Sequence, residues 1–232
     1  MNDEKETDTP SEERADPIEP VTRQQDTTPQ RIEWPKESLE AVRAMPDFTL
    51  RELIEASPDK ISFKQQAAQR TEYFLSGLFA GADLLRLITD SHSHPRSDSL
   101  SALWSVAKKF PQMLPNPLPN RRGVPDQRKY IVVRPINPHQ GNLDKNAKRI
   151  RHLAQLLPLR LVVFDGNNSL EAWFAANGVS DKKFFAAACQ VGADPAAWHL
   201  TAPVRTPDAL RASSTQQSYT RSCEAGKGGN SE

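Results

Sequence analysis

Residues 130–174 read YIVVRPINPHQGNLDKNAKRIRHLAQLLPLRLVVFDGNNSLEAWF, and this stretch decides the fold. β-Branched runs at 130–134 and 159–164 predict two strands, and the apolar residues between them recur at helical spacing. The Asp-Gly-Asn-Asn turn after the second strand predicts a hairpin into a third strand at 169–175. The order strand, helix, strand, strand is therefore expected.

The residues that follow extend this pattern. Ser180 is placed to cap a helix, DKKFFAAACQV, which Gly192 would end, and residues 200–205 are suited to a last strand. Together the elements predict a βαββαβ unit of the ferredoxin-like or RNA-recognition-like kind over residues 130–212. Two helices would then cover one sheet face and leave the other face open for a ligand.

The preceding part of the chain, residues 33–129, is expected to be mainly helical. Apolar spacing predicts a long helix within 63–79 and another at 100–110 that carries Trp104 inward. A strand is expected at 84–89 between them. A proline-rich connector then leads to the βαββαβ unit, and the whole predicts an α+β fold.

Both ends of the chain differ in composition from the middle. Residues 1–30 hold nine acidic and three basic residues with almost nothing apolar, and residues 213–232 are rich in Ser, Gln and Gly. Such segments cannot bury enough apolar surface to offset their conformational entropy. We therefore expect disordered tails at 1–32 and 213–232 around a single domain at 33–212.

The basic residues are concentrated in one segment, residues 121–151, which holds only two acids, Asp126 and Asp144. A charge excess of this kind suits a polyanion, although a well-solvated helix face would look the same in sequence. The nine bases are Arg121, Arg122, Arg128, Lys129, Arg134, Lys145, Lys148, Arg149 and Arg151.

The chain carries no recognisable signal for export or membrane insertion. Its acidic start lacks the apolar run of a secretory signal, and no window has the length of a membrane-spanning helix. The two cysteines, Cys189 and Cys223, are placed in a helix and in a tail, so a disulfide is not expected. A cytoplasmic protein without membrane contact is expected.

Several short motifs, in order, resemble the primase-like domain of plasmid, phage and mobile-element replication proteins, within the archaeo-eukaryotic primase superfamily. They are GLFAGADLL (77–85), MLPNPL (113–118), IVVRPIN (131–137), FDGNNSLEAWF (164–174) and VGADPAAW (191–198). The resemblance covers most of residues 50–205. It implies a primase-like fold, DNA as the nucleic acid, and a replicative helicase as a partner.

The chain departs from the family at the residues that carry its chemistry. The first-strand acids that bind divalent metal are matched by Arg134 and Ile136, and the third-strand histidine is matched by Glu171. Two-metal phosphoryl transfer needs hard oxygen ligands, whereas an arginine favours phosphate directly. We therefore expect no catalytic residues, no bound metal and no cofactor.

The resemblance and the charges together name the candidate phosphate contacts. From the motifs come Arg134, Asn168, Ser169 and Arg205, the last matching a family arginine; from the basic segment come Arg121, Arg122, Lys148 and Arg149. If the site had instead been rebuilt around Mg²⁺ or Mn²⁺, Asp165 and Glu171 would be its ligands.

Three functions remain open at this point. The first is a degenerate, non-catalytic primase-like domain that binds nucleic acid or a replication partner during mobile-element or plasmid DNA replication. The second is an active DNA primase or polymerase with rebuilt metal ligands. The third is a structural protein that docks a helicase.

Overall fold

The computed structural model describes residues 37–57, 67–89, 95–135, 142–164, 169–176, 178, 181–209 and 217–220. Over these residues the fold is α+β, as predicted, with two four-stranded antiparallel sheets. The helices are α1 (Glu37–Ala44), α2 (Leu50–Glu55), α3 (Ala67–Leu78), α4 (Leu100–Leu103), α5 (Leu143–Leu153) and α6 (Asp181–Gln190). The strands are β1 (Leu84–Ile88), β2 (Arg96–Ser99), β3 (Gln112–Met113), β4 (Tyr130–Val133), β5 (Leu159–Phe164), β6 (Leu170–Ala175), β7 (Val204–Arg205) and β8 (Gln217–Thr220).

The strand–helix–strand–strand order predicted from residues 130–174 is confirmed as β4–α5–β5–β6. In their sheet, β6 lies between β4 and β5 and runs antiparallel to both. A strand inserted between two strands that a helix connects is the split βαβ arrangement. Asn142 caps α5, since its side chain accepts from the backbone N–H groups of Asp144 and Lys145.

The prediction that residues 200–205 supply the fourth strand of the βαββαβ sheet is wrong. Val204–Arg205 does form a strand, β7, but it pairs with β3 in the other sheet, whose order is β2-β1-β3-β7. After α6 the chain makes a bridge to the end of β4, between Ala193 and Pro135, and then a 3₁₀ turn at Pro195–Trp198. The outer position beside β5 is taken by β8, within a segment for which composition predicted disorder.

The expectation of an open sheet face is also wrong. One face of the β4–β6–β5 sheet packs against α5 and α6, through residues such as Ile131, Ala172 and Phe174. The opposite face, with Val132 and Trp173, packs against α3 and the first sheet. Because β6 is apolar at successive positions and not only at alternate ones, both of its faces become buried.

Residues 33–129 are less helical than predicted, because β1, β2 and β3 form most of the first sheet. The helix expected at 100–110 is split into α4 and a 3₁₀ turn at Ala107–Lys109. Trp104 follows the last residue of α4 and does not continue its buried face. Its exposed fraction is 37%, so the prediction of an inward Trp104 is wrong.

Candidate functional site

Arg134, the residue matched to the family's metal-binding acids, lies directly after β4 and is already paired. Its Nε donates to Asp194 Oδ2 at 3.0 Å, and its Nη1 donates to the carbonyl oxygen of Pro203 at 3.3 Å. A guanidinium held by a carboxylate and a carbonyl is fixed in position and partly neutralised. It supplies positive charge where the family pattern needs oxygen ligands for a cation.

Glu171 lies within β6 and is buried, with an exposed fraction of 6%. Its Oε1 lies 3.3 Å from Nε of Arg205, and its Oε2 accepts from the backbone N–H of Arg205 at 3.1 Å. The structure therefore joins a candidate metal ligand and a candidate phosphate contact to each other. This Glu171–Arg205 pair connects β6 of one sheet with β7 of the other.

Among the remaining motif residues, Ser169 lies within the described part of the chain. Ser169 precedes β6 and is buried, with an exposed fraction of 3%. Asp165, Asn168 and Ile136 lie outside the described residues. Among the residues that the structure does describe, no three His, Cys, Asp or Glu side chains are grouped so that they could hold a metal ion.

The basic face of α5 is accompanied by acids from residues 47–52 and from its own first turn. Lys148 Nζ lies 3.3 Å from Asp47, and Asp144 in the first turn of α5 accepts from the backbone N–H of Leu50. Glu52 has a lowered pKa because it accepts hydrogen bonds from Thr49, and the charge of Arg151 contributes to that shift. The positive charges of Lys148 and Arg151 are therefore partly compensated by Asp47 and Glu52.

Arg121 and Arg122 lie elsewhere, beside the first sheet, in a group that we call the arginine patch: Arg86, Arg96, Arg121 and Arg122. Arg121 pairs with Asp98 of β2 at 2.8 Å, and Arg86 donates to the carbonyl oxygen of Gly123 at 2.8 Å. Arg96 lies opposite Leu87 in the β1–β2 pairing, one residue along from Arg86. Arg121 thus pairs with Asp98, Arg86 is also bonded to Ser97, and Arg96, Arg121 and Arg122 are exposed.

Sequence reasoning missed Arg86 and Arg96 because they come from β1 and β2, outside the basic segment. The segment at 121–151 is not one surface. Its first residues accompany the first sheet, while α5 lies on the far side of the β4–β6–β5 sheet. Only the pairing of β1 with β2 and the return of the loop at Gly123 assemble the patch.

A small cleft lies between the end of β4, α5 and the end of α6, and we call it the β4–α5–α6 cleft. Arg134, Asn146, Arg149 and Gly192 are among the residues that line it, and its volume is about 30 Å³. That is room for about two water molecules, whereas pockets for drug-sized ligands have volumes of roughly 300 Å³ or more. The cleft therefore cannot enclose a nucleotide in this conformation.

Two other reactive side chains of the described region are not poised for chemistry. Burial, together with the charge of Asp194, raises the pKa of the Cys189 thiol to about 11, so the thiol stays protonated at neutral pH. Burial lowers the pKa of His152 on α5. Neither residue has a partner arrangement that would make it a nucleophile or base.

Compared with family models, curated proteins and solved structures, the chain matches none of them. Within the described residues, every helix is too short or too polar to cross a membrane.

Proposed function

We propose that this chain is a primase-like domain that has no catalytic site and binds DNA during the replication of a plasmid or other mobile element. The observation that carries the proposal is the arginine patch, in which Arg96, Arg121 and Arg122 are exposed around the Arg121–Asp98 pair. The ancestry rests on the motif resemblance, and a replicative helicase is the protein partner that this resemblance suggests.

The geometry of the matched residues supports the absence of catalysis. Arg134 replaces an acid and is held by Asp194, and Glu171 is committed to Arg205. A catalytic metal would have to displace a guanidinium from a buried carboxylate, and the other matched position would repel the metal. Carboxylates that bind catalytic Mg²⁺ are normally left available for the ion.

The exposed arginines support contact with phosphates. Arg121 has a side chain exposed to 68%, so its pairing with Asp98 is weakened by solvent and can exchange for a phosphate oxygen. Phosphate contacts by such residues release counterions and give affinity with little sequence preference. An RNA-recognition module stacks bases on exposed aromatic residues of its sheet. Trp173 cannot act in this way, because it is fully buried.

The salt dependence of DNA binding tests the patch. A triple variant, Arg96→Gln with Arg121→Gln and Arg122→Gln, removes three exposed charges. For each phosphate that the variant no longer binds, the slope of log K against log salt should fall by about 0.7 for single strands or 0.9 for duplex. Lys145→Gln with Arg151→Gln is the control, because α5 lies on the other side of the β4–β6–β5 sheet from the patch. Equal weakening of binding in both variants would reject the patch as the binding surface.

A primer-extension assay with Mg²⁺ or Mn²⁺ tests the absence of catalysis. We expect no metal-dependent synthesis from the wild-type chain above that of an Asp165→Ala and Glu171→Ala double variant. Synthesis by the wild type that this double variant abolishes, while circular dichroism shows the double variant to be folded, would establish the enzyme with rebuilt ligands. After nuclease treatment, retention of a replicative helicase in a pull-down would show that the helicase contacts the protein directly.

A further inference from the structure

The walls of the β4–α5–α6 cleft are mainly apolar side chains of the core. Val133, Ile150, Leu153, Leu170 and Val191 line it, and each of them is at least nine-tenths buried. A cleft lined in this way is poorly hydrated and strengthens any electrostatic contact made inside it. It is also partly open to solvent, so a ligand group can enter.

Two polar groups in this cleft lack a full set of partners. Asn146 is buried, with an exposed fraction of 5%, and its Nδ2 has no hydrogen-bond partner, whereas its Oδ1 accepts a long contact of 3.4 Å from Arg149 Nη1. Arg149 makes no ion pair within 4.0 Å to any described carboxylate. A buried amide donor without a partner costs free energy unless a ligand or water supplies an acceptor.

A second arginine in this cleft shows which kind of group a guanidinium binds there. Arg134, on the neighbouring wall, is held by the Asp194 carboxylate at 3.0 Å. The guanidinium of Arg149 lies beside Gly192, whose φ of +96° favours glycine. The cleft thus contains one guanidinium with a carboxylate and one without, together with the donor of Asn146.

We propose that the β4–α5–α6 cleft binds an aliphatic carboxylate, such as a glutamate side chain of a protein partner. The two carboxylate oxygens enter the cleft and accept from the guanidinium of Arg149 and from Nδ2 of Asn146, and the aliphatic stem extends out through the open side of the cleft. Two oxygens match the small volume of the cleft. A phosphate group fits less well, because its additional oxygens would face apolar side chains and lose their hydrogen bonds.

Nuclear magnetic resonance of the full chain tests this site with small probes. Butyrate is the carboxylate, butyramide is its uncharged counterpart, and inorganic phosphate is the competing anion. We expect butyrate to shift the backbone resonances of Gly192 and Ala193 in a saturable way, with butyramide and phosphate causing little change. A blocked tripeptide with a central glutamate, compared with its glutamine version, distinguishes a peptide source from a free acid.

Substitutions assign the site to its residues. Arg149→Gln should weaken butyrate binding by about tenfold or more, because it removes charge-assisted hydrogen bonds. The butyrate affinity of Arg149→Lys should lie between those of the wild type and Arg149→Gln, because lysine keeps the charge and lacks the planar guanidinium. Lys145→Gln, on the exposed face of the same helix, should leave binding unchanged.

Three results would overturn the proposal: equal binding of butyramide, tighter binding of phosphate than of butyrate, or unchanged butyrate binding in Arg149→Gln. The cleft and the arginine patch share no residue, so DNA binding can fail in its own assay without affecting this one.

Discussion

Removal of the Glu171 carboxylate should strongly destabilise the fold, because Glu171 connects the two sheets. In Glu171→Ala, the guanidinium of Arg205 is deprived of its carboxylate 3.3 Å away, and the backbone N–H of Arg205 is deprived of its acceptor at 3.1 Å. Side-chain exposures of 18% for the arginine and 8% for the glutamate mean that water replaces these interactions poorly.

The expected destabilisation follows from these two interactions. A hydrogen bond to a charged group contributes about 1.5–3 kcal/mol, and an arginine left without its partner in a buried site adds a desolvation cost. Breaking a buried ion pair by removing one member costs about 3–5 kcal/mol in total. Glu171→Gln should cost less than Glu171→Ala, since its amide oxygen can still accept from the backbone N–H.

Urea unfolding followed by circular dichroism measures the difference in free energy of unfolding. The matched control is Glu55→Ala, which removes the partner of Arg51 in an exposed pair and should cost less than about 0.5–1 kcal/mol. The double variant Glu171→Leu with Arg205→Met should be more stable than Glu171→Ala, because apolar residues of similar size can replace a buried pair.

An unchanged or increased free energy of unfolding in Glu171→Ala would refute the structural role of Glu171. A carboxylate kept in place for metal binding usually destabilises the metal-free fold, so its removal raises stability while activity disappears. If Glu171→Ala were as stable as the wild type or more stable, and if metal-dependent synthesis were abolished with it, the Glu171–Arg205 pair would not be what holds the sheets together.

Other predictions concern the pH dependence and packing of the same domain. Burial raises the pKa of Asp208 to about 6, although Arg70, 2.9 Å away, lowers it. The carboxyl group of Asp208 therefore binds its proton more tightly in the folded state than in the unfolded state. Its contribution to stability is complete below about pH 4 and is lost as the pH rises through about 6. Relative to Asp208→Asn, the wild type should lose up to about 3 kcal/mol between about pH 4 and 7 in urea titrations. Thr49→Ala, which breaks the capping box of α2, should lower the unfolding free energy by about 1 kcal/mol in the same assay. Trp173→Ala should cost about 3–5 kcal/mol, and Trp104→Ala much less, because only Trp173 is fully buried.

The parts of the fold that sequence predicted are those determined by neighbouring residues. β5 was expected at 159–164 and is found there, because a β-branched run bounded by Pro158 and a Gly-Asn-Asn turn has few alternatives. Helix caps are local in the same way, since the side chains of Thr49 and Asn142 accept from backbone N–H groups two or three positions away.

The parts that it missed depend on interactions between distant residues. β3 and β7 are two residues long, which is too short for any periodicity, and only their pairing makes them strands. The partners of Arg134 and Glu171 are 60 and 34 residues away in the chain. Arg86 and Arg96 were not recognised as patch residues for the same reason. The excess of basic residues at 121–151 therefore predicted a basic surface but not where in the fold that surface lies.

The burial of both faces of the β4–β6–β5 sheet is consistent with the proposed absence of catalysis. Glu171 lies among Leu170, Ala172 and Trp173, which are apolar and buried, so its strand places the carboxylate in the interior. A buried carboxylate needs a cation, and in a metalloenzyme the metal can supply it. In this chain Arg205 supplies it, and the same interaction draws β7 onto the sheet. An arginine that stabilises the fold cannot also release the acid to a metal, and the proposed DNA binding therefore depends on arginines at the surface.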